Sequence, residues 1–295
     1  MKLVTYESDA KWRAGLMVGD NVVDATVAAK AALLDFDTEW ISNRQIIRLN
    51  PQQQSGLESA ASDIAQAKPS DLIVFPVDSA RLGPPIPDPD KIICLGLNYK
   101  SHAEEAGLKA PEVPILFSKY RNALAGPTSP IILPGVSAEI DYEAELAVVI
   151  GKQCKDIAAE DALNYVAGYM AFNDVSARDL QFRTGQWLSG KSLDTFAPCG
   201  PALVIGEVND PQDLNISACV NGQTLQQSNT RNMIFSIAET IAYISQLMTL
   251  EPGDIIATGT PEGVGFKRKP PIFLRDGDIV EVEIEGIGRL RNPVI

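Results

Sequence analysis

Strand-like segments fill most of the chain from residue 91 to residue 295, and this pattern constrains the fold most strongly. The segments are short, rich in branched apolar residues and bounded by Gly, Pro, Asn or Asp. They cover 91–97, 115–120, 130–134, 143–151, 202–208, 215–225, 254–260 and 278–295. Two helix-like segments interrupt them, 158–174 and 234–248. Because strands and helices do not alternate strictly, we expect an α+β fold, mainly β, that is closed or folded over with helices at its side.

The first 75 residues have a different pattern. Residues 1–25 alternate apolar and polar positions around a VGDN turn, which predicts short antiparallel strands. Residues 25–50 and 51–68 have helical spacing. We therefore predict a small α/β domain over residues 1–75, a linker rich in Pro, Asp and Gly over 76–90, and a larger domain over 91–295.

The charge of the chain limits its partners. A net charge of −13 and a pI of about 4.6 repel phosphate backbones and anionic lipids, so we expect neither a nucleic acid nor a membrane as partner. The four cysteines show no CxxC spacing, which predicts reduced, buried thiols. Without a signal-like segment or a run of about 18 apolar residues, the expected compartment is the cytoplasm. An acidic protein that works on anionic metabolites needs local cations, either from Lys and Arg in a cleft or from a metal.

Two glutamates occur at an unusual place in the segment EIDYEAELAVVIG. Glu143 and Glu145 are two residues apart and therefore point to the same side of a strand. One interpretation is an exposed strand with an acidic outer face. The other is an interior strand, because LAVVI is apolar on both faces. Two like charges in a dry place must take up a proton or bind a cation.

A third acid, Asp174, directly follows the apolar part of the helix-like segment 158–174. It could face the same cavity as the two glutamates. Three carboxylates without His or Cys suit a hard cation, above all Mg²⁺, with Mn²⁺ or Ca²⁺ as alternatives. The other interpretation of this region is a surface ion pair between Asp179 and Arg178.

The only histidine of the chain is His102, in the segment GLNYKSHAEEAG. By itself it is more typical of a solvated surface residue than of a proton carrier, and it needs partners from elsewhere in the chain to become a catalyst. Seven segments, taken together and in this order, resemble the fumarylacetoacetate hydrolase family: GLNYKSHAEEAG, LFSKYRNALAGP, DYEAELAVVIG, GYMAFNDVSARDLQ, GKSLDTFAPCGP, GDIIATGTPEGVG and VEVEIEGIGRLRNPV. The resemblance covers the C-terminal two thirds and is greatest to bacterial-type members with a small N-terminal domain.

The resemblance implies a fold and a set of roles. It implies a β-roll catalytic domain with flanking helices, commonly in a homodimer. Glu143, Glu145 and Asp174 match the metal ligands of the family, and they are the three acids reached above from their positions. The HxxE element of the family matches His102 and Glu105, which would share a helix face and form a base and its orienting carboxylate.

Further residues match positions that contact the substrate in the family. Lys191 matches a lysine that stabilises a developing enolate, although alone it is typical of a surface lysine. Arg178 and Gln181 match residues that hold substrate oxygens, and Thr260 matches a hydroxyl that binds the substrate carboxylate. Tyr99 either lines the pocket or packs against the helix. Glu104 is expected in solvent.

The activity that the resemblance implies is metal-dependent hydrolysis of a C–C bond in 2,4-diketo acids of the acylpyruvate or fumarylpyruvate type, giving pyruvate and a carboxylic acid. The same metal and base fit decarboxylation or tautomerisation of oxaloacetate, and isomerisation or hydration of unsaturated 2-oxo diacids. A mobile lid over residues 102–114 would decide whether water enters with the substrate. The alternatives from functional classes other than enzymes are an inactive binder of 2-oxo acids, a dimeric scaffold or a metal buffer.

Overall fold

The structure is a computed structural model and describes residues 1–36, 39, 41–70, 73–107 and 109–295. Its strands in chain order are β1 (Lys2–Ser8), β2 (Lys11–Val18), β3 (Asn21–Asp24), β4 (Val74–Pro76), β5 (Leu82–Gly83), β6 (Ile92–Gly96), β7 (Ile115–Lys119), β8 (Leu124–Ala125), β9 (Ile140–Asp141), β10 (Ala144–Ile150), β11 (Val166–Asn173), β12 (Ser176–Ala177), β13 (Ala197–Val204), β14 (Asn215–Val220), β15 (Gln223–Asn229), β16 (Ile255–Ala257), β17 (Ile279–Ile284) and β18 (Gly288–Pro293). Its α-helices are α1 (Ala25–Ala31), α2 (Asn43–Ile46), α3 (Pro51–Ala67), α4 (Lys100–Ala106), α5 (Arg178–Gln181), α6 (Leu188–Lys191) and α7 (Ile237–Leu247). The predicted class, α+β and mainly β, is confirmed.

One large sheet forms the centre of the protein. Its strands lie in the order β4-β3-β2-β1-β13-β11-β10-β16-β6-β7, with β5 paired to β1 and β8 paired to β13. Every residue of β10 is buried, as expected for a strand that is covered on both faces. A four-stranded sheet, β15-β14-β17-β18, and a two-stranded sheet, β12-β9, complete the β-structure of the described residues.

The N-terminal strands belong to the large sheet. β1 to β3 form the predicted antiparallel ribbon, and β1 also pairs with β13. Leu57 and Ala61 of α3 pack into the same apolar core as Leu146 and Val148 of β10. The stretch predicted as a linker contributes β5 and the buried Ile86. The division of the chain into domains at 76–90 stays a prediction.

Helix ends follow their capping signals. α7 begins after Ser236, whose hydroxyl accepts from the backbone N–H of Glu239 while the Glu239 carboxylate accepts from the N–H of Ser236. This confirms the helix predicted within 234–248. Of the helical spacing over 25–50, the structure shows α1 and α2, while residues 37, 38 and 40 lie outside the described residues.

Two predicted elements are wrong. The segment 158–174 is not one helix, because a 3₁₀ helix, Ala159–Tyr165, leads into strand β11. β11 lies between β10 and β13, and a strand buried on both faces has the continuous apolar sequence that a buried helix also has. The strand predicted over 130–134 is reduced to one bridge, between Ile131 and Val294, although the N–H groups of Ile131 and Leu133 still donate to the carbonyls of Pro293 and Ile295.

Two smaller findings complete the comparison with the sequence. All four cysteines are free thiols, and three are buried as predicted, but Cys219 is half-buried. Among the helices of the described residues, none combines the length and the apolar character needed to span a membrane.

Candidate metal centre and active site

The three predicted metal ligands meet where β10 and β11 are joined. The two strands pair antiparallel, with Ala144 opposite Asn173, and the backbone N–H of Asp174 donates to the carbonyl of Glu143 at 2.9 Å. Glu143 therefore lies just before β10, Glu145 within it, and Asp174 just after β11. One carboxylate oxygen from each of the three lies within 4.8 Å of the others. All three acids are buried, so the interior interpretation of the ExE pair is confirmed over an exposed strand face.

Two of the acids are paired with buried cations. The Lys191 Nζ lies 2.7 Å from both Glu143 Oε2 and Asp174 Oδ2. The Arg178 Nη2 lies 2.7 Å from Glu143 Oε1. Burial by itself would raise the pKa of the Glu143 carboxyl, but the Lys191 ammonium and the Arg178 guanidinium together hold it well below its usual range. Glu143 is thus an ionised carboxylate in a dry place.

A lysine that the sequence reasoning missed also belongs to this cluster. The Lys119 Nζ, with a fully buried side chain, donates to Asp174 Oδ1 at 2.5 Å and to the carbonyl of Val175 at 3.0 Å. Burial lowers the pKa of this ammonium, while Asp174 acts to raise it. A lysine is almost never fully buried unless it is paired, and the partner of Lys119 lies 55 residues away, so no local signal in the sequence indicated it.

Glu145 differs from the other two acids. Its Oε2 accepts the backbone N–H of Gly259 at 2.9 Å, and no Lys, Arg or His of the described residues forms an ion pair with it. Burial raises the pKa of Glu145 well above its usual range, and the Asp174 and Glu143 carboxylates raise it further. Gly259 has φ +93° and a Cβ there would lie 2.8 Å from the Cβ of Asn98, so only glycine brings this N–H to Glu145.

The charges in the cluster leave a place for a further cation. Its buried acids and bases in the described residues are Asp141, Glu143, Glu145 and Asp174 against Lys119, Arg178 and Lys191. When all four acids are ionised, one negative charge is in excess, and it is that of Glu145, the carboxylate without a cation partner. The donor set is oxygen only, close together and buried, which fits a hard divalent ion. The cluster could hold such an ion.

His102 and Glu105 lie on α4, as predicted. The His102 Nδ1 is 3.5 Å from Glu105 Oε2, a long contact for a hydrogen bond. The Glu105 carboxylate also accepts the backbone N–H of Gly263, at 3.1 and 3.2 Å. His102 is buried at 7% exposure and lines a cavity together with Glu143 and Glu145. Glu104 is exposed, as expected.

That cavity, about 140 Å³ in volume, is the space next to the acid cluster. Aromatic rings form its wall: Phe117, Phe182, Trp187 and Phe266. The rings of Phe117 and Trp187 meet edge to face at 5.3 Å. A Cβ on Gly96 would lie 2.5 Å from Trp187, so this glycine makes room for the indole.

Three of the four predicted substrate-binding residues line the cavity, namely Arg178, Gln181 and Thr260. The Arg178 Nη1 donates to Gln181 Oε1 at 2.9 Å. The Thr260 hydroxyl accepts from Gln226 Nε2 at 2.9 Å, a buried amide that the sequence reasoning did not single out. The lining does not include Tyr99, which is fully buried and whose hydroxyl has no hydrogen-bond partner among the described residues.

Arg178 is fixed by an acid that the sequence reasoning also missed. The Arg178 Nε and Nη2 lie 2.9 and 2.8 Å from Asp141 Oδ2. Asp141 also accepts the backbone N–H of Gly265 at 2.7 Å and of Phe266 at 3.0 Å. Asp179 instead accepts the Ser137 hydroxyl at 2.5 Å. The alternative of an Arg178–Asp179 surface pair is therefore wrong.

Comparison with known proteins agrees with this site. The model of the fumarylacetoacetate (FAA) hydrolase C-terminal domain matches residues 91–295. The chain is 45% identical to a fumarylacetoacetate hydrolase domain-containing protein 2 homolog of Dictyostelium discoideum, over 100% of this chain and 97% of that protein. It is 49% identical to a mitochondrial oxaloacetate tautomerase of Rattus norvegicus, over 81% of this chain and 77% of that protein.

Solved structures share the whole fold. The fumarylacetoacetate hydrolase from psychrophilic Exiguobacterium antarcticum has 36% identity and a TM-score of 0.81, over 100% of this chain and 99% of that chain. The maleylpyruvate hydrolase from Sphingobium sp. SYK-6 has 34% identity and a TM-score of 0.78, over the same shares. The family is one of enzymes, and its named relatives include tautomerases, isomerases and hydrolases. With its motifs, its fold and its acid cluster in agreement, the chain belongs to the fumarylacetoacetate hydrolase family.

Proposed function

We propose that the protein is a divalent-metal-dependent enzyme that moves a proton at the carbon next to the 2-oxo group of small 2-oxo diacids, and that it tautomerises oxaloacetate. One observation carries the proposal: the single imidazole of the chain lines the same small cavity as Glu143 and Glu145 of the carboxylate cluster. Proton transfer at such a carbon needs a base on one side and positive charge at the oxygens on the other. The identity to an oxaloacetate tautomerase supports this choice.

The acid cluster is the binding end of the proposed site. When bound by Glu143, Glu145 and Asp174, Mg²⁺ or another divalent ion supplies Lewis acidity toward the 2-oxo group. The two positive charges of the ion would change the net charge of the cluster from one negative to one positive, which favours an anionic substrate. Arg178 and Gln181, already hydrogen-bonded to each other, hold a substrate carboxylate at the cavity.

The proton moves at the other side of the cavity. His102 accepts a proton from C3 of the keto form, and the oxygen of the resulting enolate takes a proton from solvent to give the enol. In the reverse direction the enol loses its O–H proton to solvent and His102 returns a proton to C3. Glu105, held by the N–H of Gly263, orients the ring and supports the imidazolium that forms. Lys191 uses two of its three N–H donors on Glu143 and Asp174, so the third is free for the enolate oxygen.

The size of the cavity favours a short substrate. Pockets for drug-sized ligands have volumes of about 300–1,000 Å³. The cavity beside His102 measures about 140 Å³. A four-carbon diacid suits this space better than an acylpyruvate with a long acyl group.

The second candidate is hydrolysis of 2,4-diketo acids, and the His102–Glu105 pair favours it. The same pair can take a proton from water, whose oxygen attacks the 4-carbonyl. The C3–C4 bond then breaks, its electron pair stays on the pyruvate enolate, and a proton returns to C3. The similar structure from Sphingobium is named as a hydrolase of maleylpyruvate, which is also a 2-oxo diacid substrate.

One assay separates these activities. Purified protein with Mg²⁺ is given enol oxaloacetate, keto oxaloacetate and acetylpyruvate, while enol absorbance and pyruvate are measured in parallel. Tautomerisation predicts faster loss of enol absorbance without pyruvate. Pyruvate from oxaloacetate identifies a decarboxylase, and pyruvate from acetylpyruvate identifies the hydrolase. An enol decay that the protein does not accelerate contradicts the proposal.

The cofactor, compartment and assembly complete the proposal. Mg²⁺ is the proposed ion, with Mn²⁺ as a substitute and Ca²⁺ as an occupant in crystals. The proposed compartment is the cytoplasm, where the free thiols stay reduced. The proposed assembly is a homodimer, which light scattering tests.

A further inference from the structure

A lysine outside the acid cluster also lines the cavity. Lys267 is half-buried, and no carboxylate of the described residues forms an ion pair with it. The other cations on the cavity, Arg178 and Lys191, are both paired with acids. Among the cations that line this cavity, Lys267 is therefore the one whose charge is not already neutralised by the protein.

The loop that carries Lys267 is held in place. Asp141 accepts the backbone N–H groups of Gly265 and Phe266, which directly precede Lys267. The Phe266 ring centroid lies 4.3 Å from Arg178 Cζ and 5.0 Å from Lys267 Nζ. One ring thus contacts both cations and places Arg178 and Lys267 on the same side of the cavity wall.

The neighbouring cations are placed differently. Arg268 donates from Nε to the carbonyl of Gly263 at 3.2 Å and from Nη2 to the carbonyl of Leu225. Lys269 is exposed and does not line the cavity. Of these three consecutive basic residues, only Lys267 lines the cavity beside the acid cluster.

From this arrangement we infer that Lys267 binds the second carboxylate of a dicarboxylic 2-oxo acid, the one remote from the 2-oxo group. The carboxylate next to the 2-oxo group would then lie near Arg178 and the acid cluster that binds the divalent ion. The aromatic wall would exclude water from the carbons between the two carboxylates. A partly dry ammonium and a carboxylate form a charge-assisted hydrogen bond. The protein is therefore selective for diacids over monoacids. This inference rests on the proposed function for its substrate class.

Binding of two non-reacting acids tests the inference without turnover. Malate and lactate share the 2-hydroxy acid end, and only malate has a second carboxylate. Calorimetry with Mg²⁺ on the wild type, Lys267→Gln, Lys267→Arg and Lys269→Gln gives their affinities. We expect Lys267→Gln to weaken malate binding about ten- to hundredfold, as for loss of a hydrogen bond between charged groups, and to leave lactate within about twofold. Lys267→Arg retains most of the malate affinity, and Lys269→Gln retains all of it.

Two outcomes overturn the inference. One is a wild type that binds malate no more tightly than lactate. The other is an equal loss of affinity for malate and for lactate in Lys267→Gln, which indicates a general change of the cavity. If malate binding depends on Lys267 and the wild type does not accelerate the enol decay of oxaloacetate, the inference stands and the proposed tautomerase activity fails.

Discussion

The acid cluster and the helix that carries His102 face the same cavity but are built differently. The acids lie at the ends of β10 and β11, at the centre of the large sheet, and three buried cations fix the oxygens of Glu143 and Asp174. His102 lies on α4, seven residues long, which ends at Gly107 with φ +70°. Its contact with Glu105 is long, at 3.5 Å. Binding an ion needs ligand oxygens that are already in position, whereas transferring a proton needs a base that can come within hydrogen-bond distance of the substrate.

The rigid region gives the largest expected effect. Asp174→Asn removes the carboxylate that contacts both buried lysines, Lys119 and Lys191. Removing one partner of a buried ion pair costs about 3–5 kcal/mol. We expect a loss of that size in the free energy of unfolding, with loss of Mg²⁺ binding and of activity. Denaturant unfolding measures it. Asp156→Asn, which breaks only a surface pair with Lys155, is the control and should change stability by less than about 1 kcal/mol.

If Asp174→Asn were as stable as the wild type, the two lysines would have to be satisfied by other groups. The contrast between an acid cluster fixed by buried ion pairs and a histidine held by one long contact would then be lost.

The His102 side of the comparison is tested by His102→Ala. We expect activity to fall by about 10²–10⁴, the usual contribution of a positioned general base. Mg²⁺ binding and stability should change little, because His102 contacts the acid cluster only across the cavity. Enol-decay rates and a Mg²⁺ titration measure the two properties on one preparation. A variant that turns over oxaloacetate at the normal rate removes the base assignment.

A smaller effect is expected from Glu105→Gln. The amide can still accept the Gly263 N–H but has no charge to support an imidazolium. A partly exposed ion pair contributes about 1 kcal/mol, and about 1.4 kcal/mol is tenfold in rate. We therefore expect kcat to fall about three- to tenfold with KM unchanged.

The neighbouring Glu104→Gln is a matched control for this variant. Glu104 lies on the same helix and is exposed, so the kcat of the Glu104→Gln variant should equal that of the wild type. Equal losses in both variants would show that helix stability, rather than the charge beside His102, is responsible.

The same contrast explains what the sequence could predict. Glu143 and Glu145 were found because a charged pair inside an apolar strand is a local signal. Asp174 was found although its segment was predicted as a helix, because the apolar run ends at the same residue in either conformation. The strand β11 itself was missed, since its partners β10 and β13 are distant in the chain.

The residues that were missed depend on long-range contacts. Lys119, Asp141 and Gln226 have no unusual local sequence, and their burial follows from partners 55, 37 and 34 residues away. Lys119 at a strand end is typical of a solvated lysine until β7 is placed beside β6. Lys267, in a run of basic residues, likewise gains its meaning from the cavity that it lines.

The central claim is that the three acids hold a divalent ion and that Glu145 is the acid without a protein cation. Thermal unfolding of the wild type and of Glu145→Gln, each with and without Mg²⁺, tests it most directly, because a ligand of the folded state raises the midpoint. We expect Mg²⁺ to raise the midpoint of the wild type and not that of Glu145→Gln. The two metal-free proteins should unfold at similar temperatures. Equal stabilisation of both proteins by Mg²⁺, or of neither, would show that Glu145 does not hold the ion.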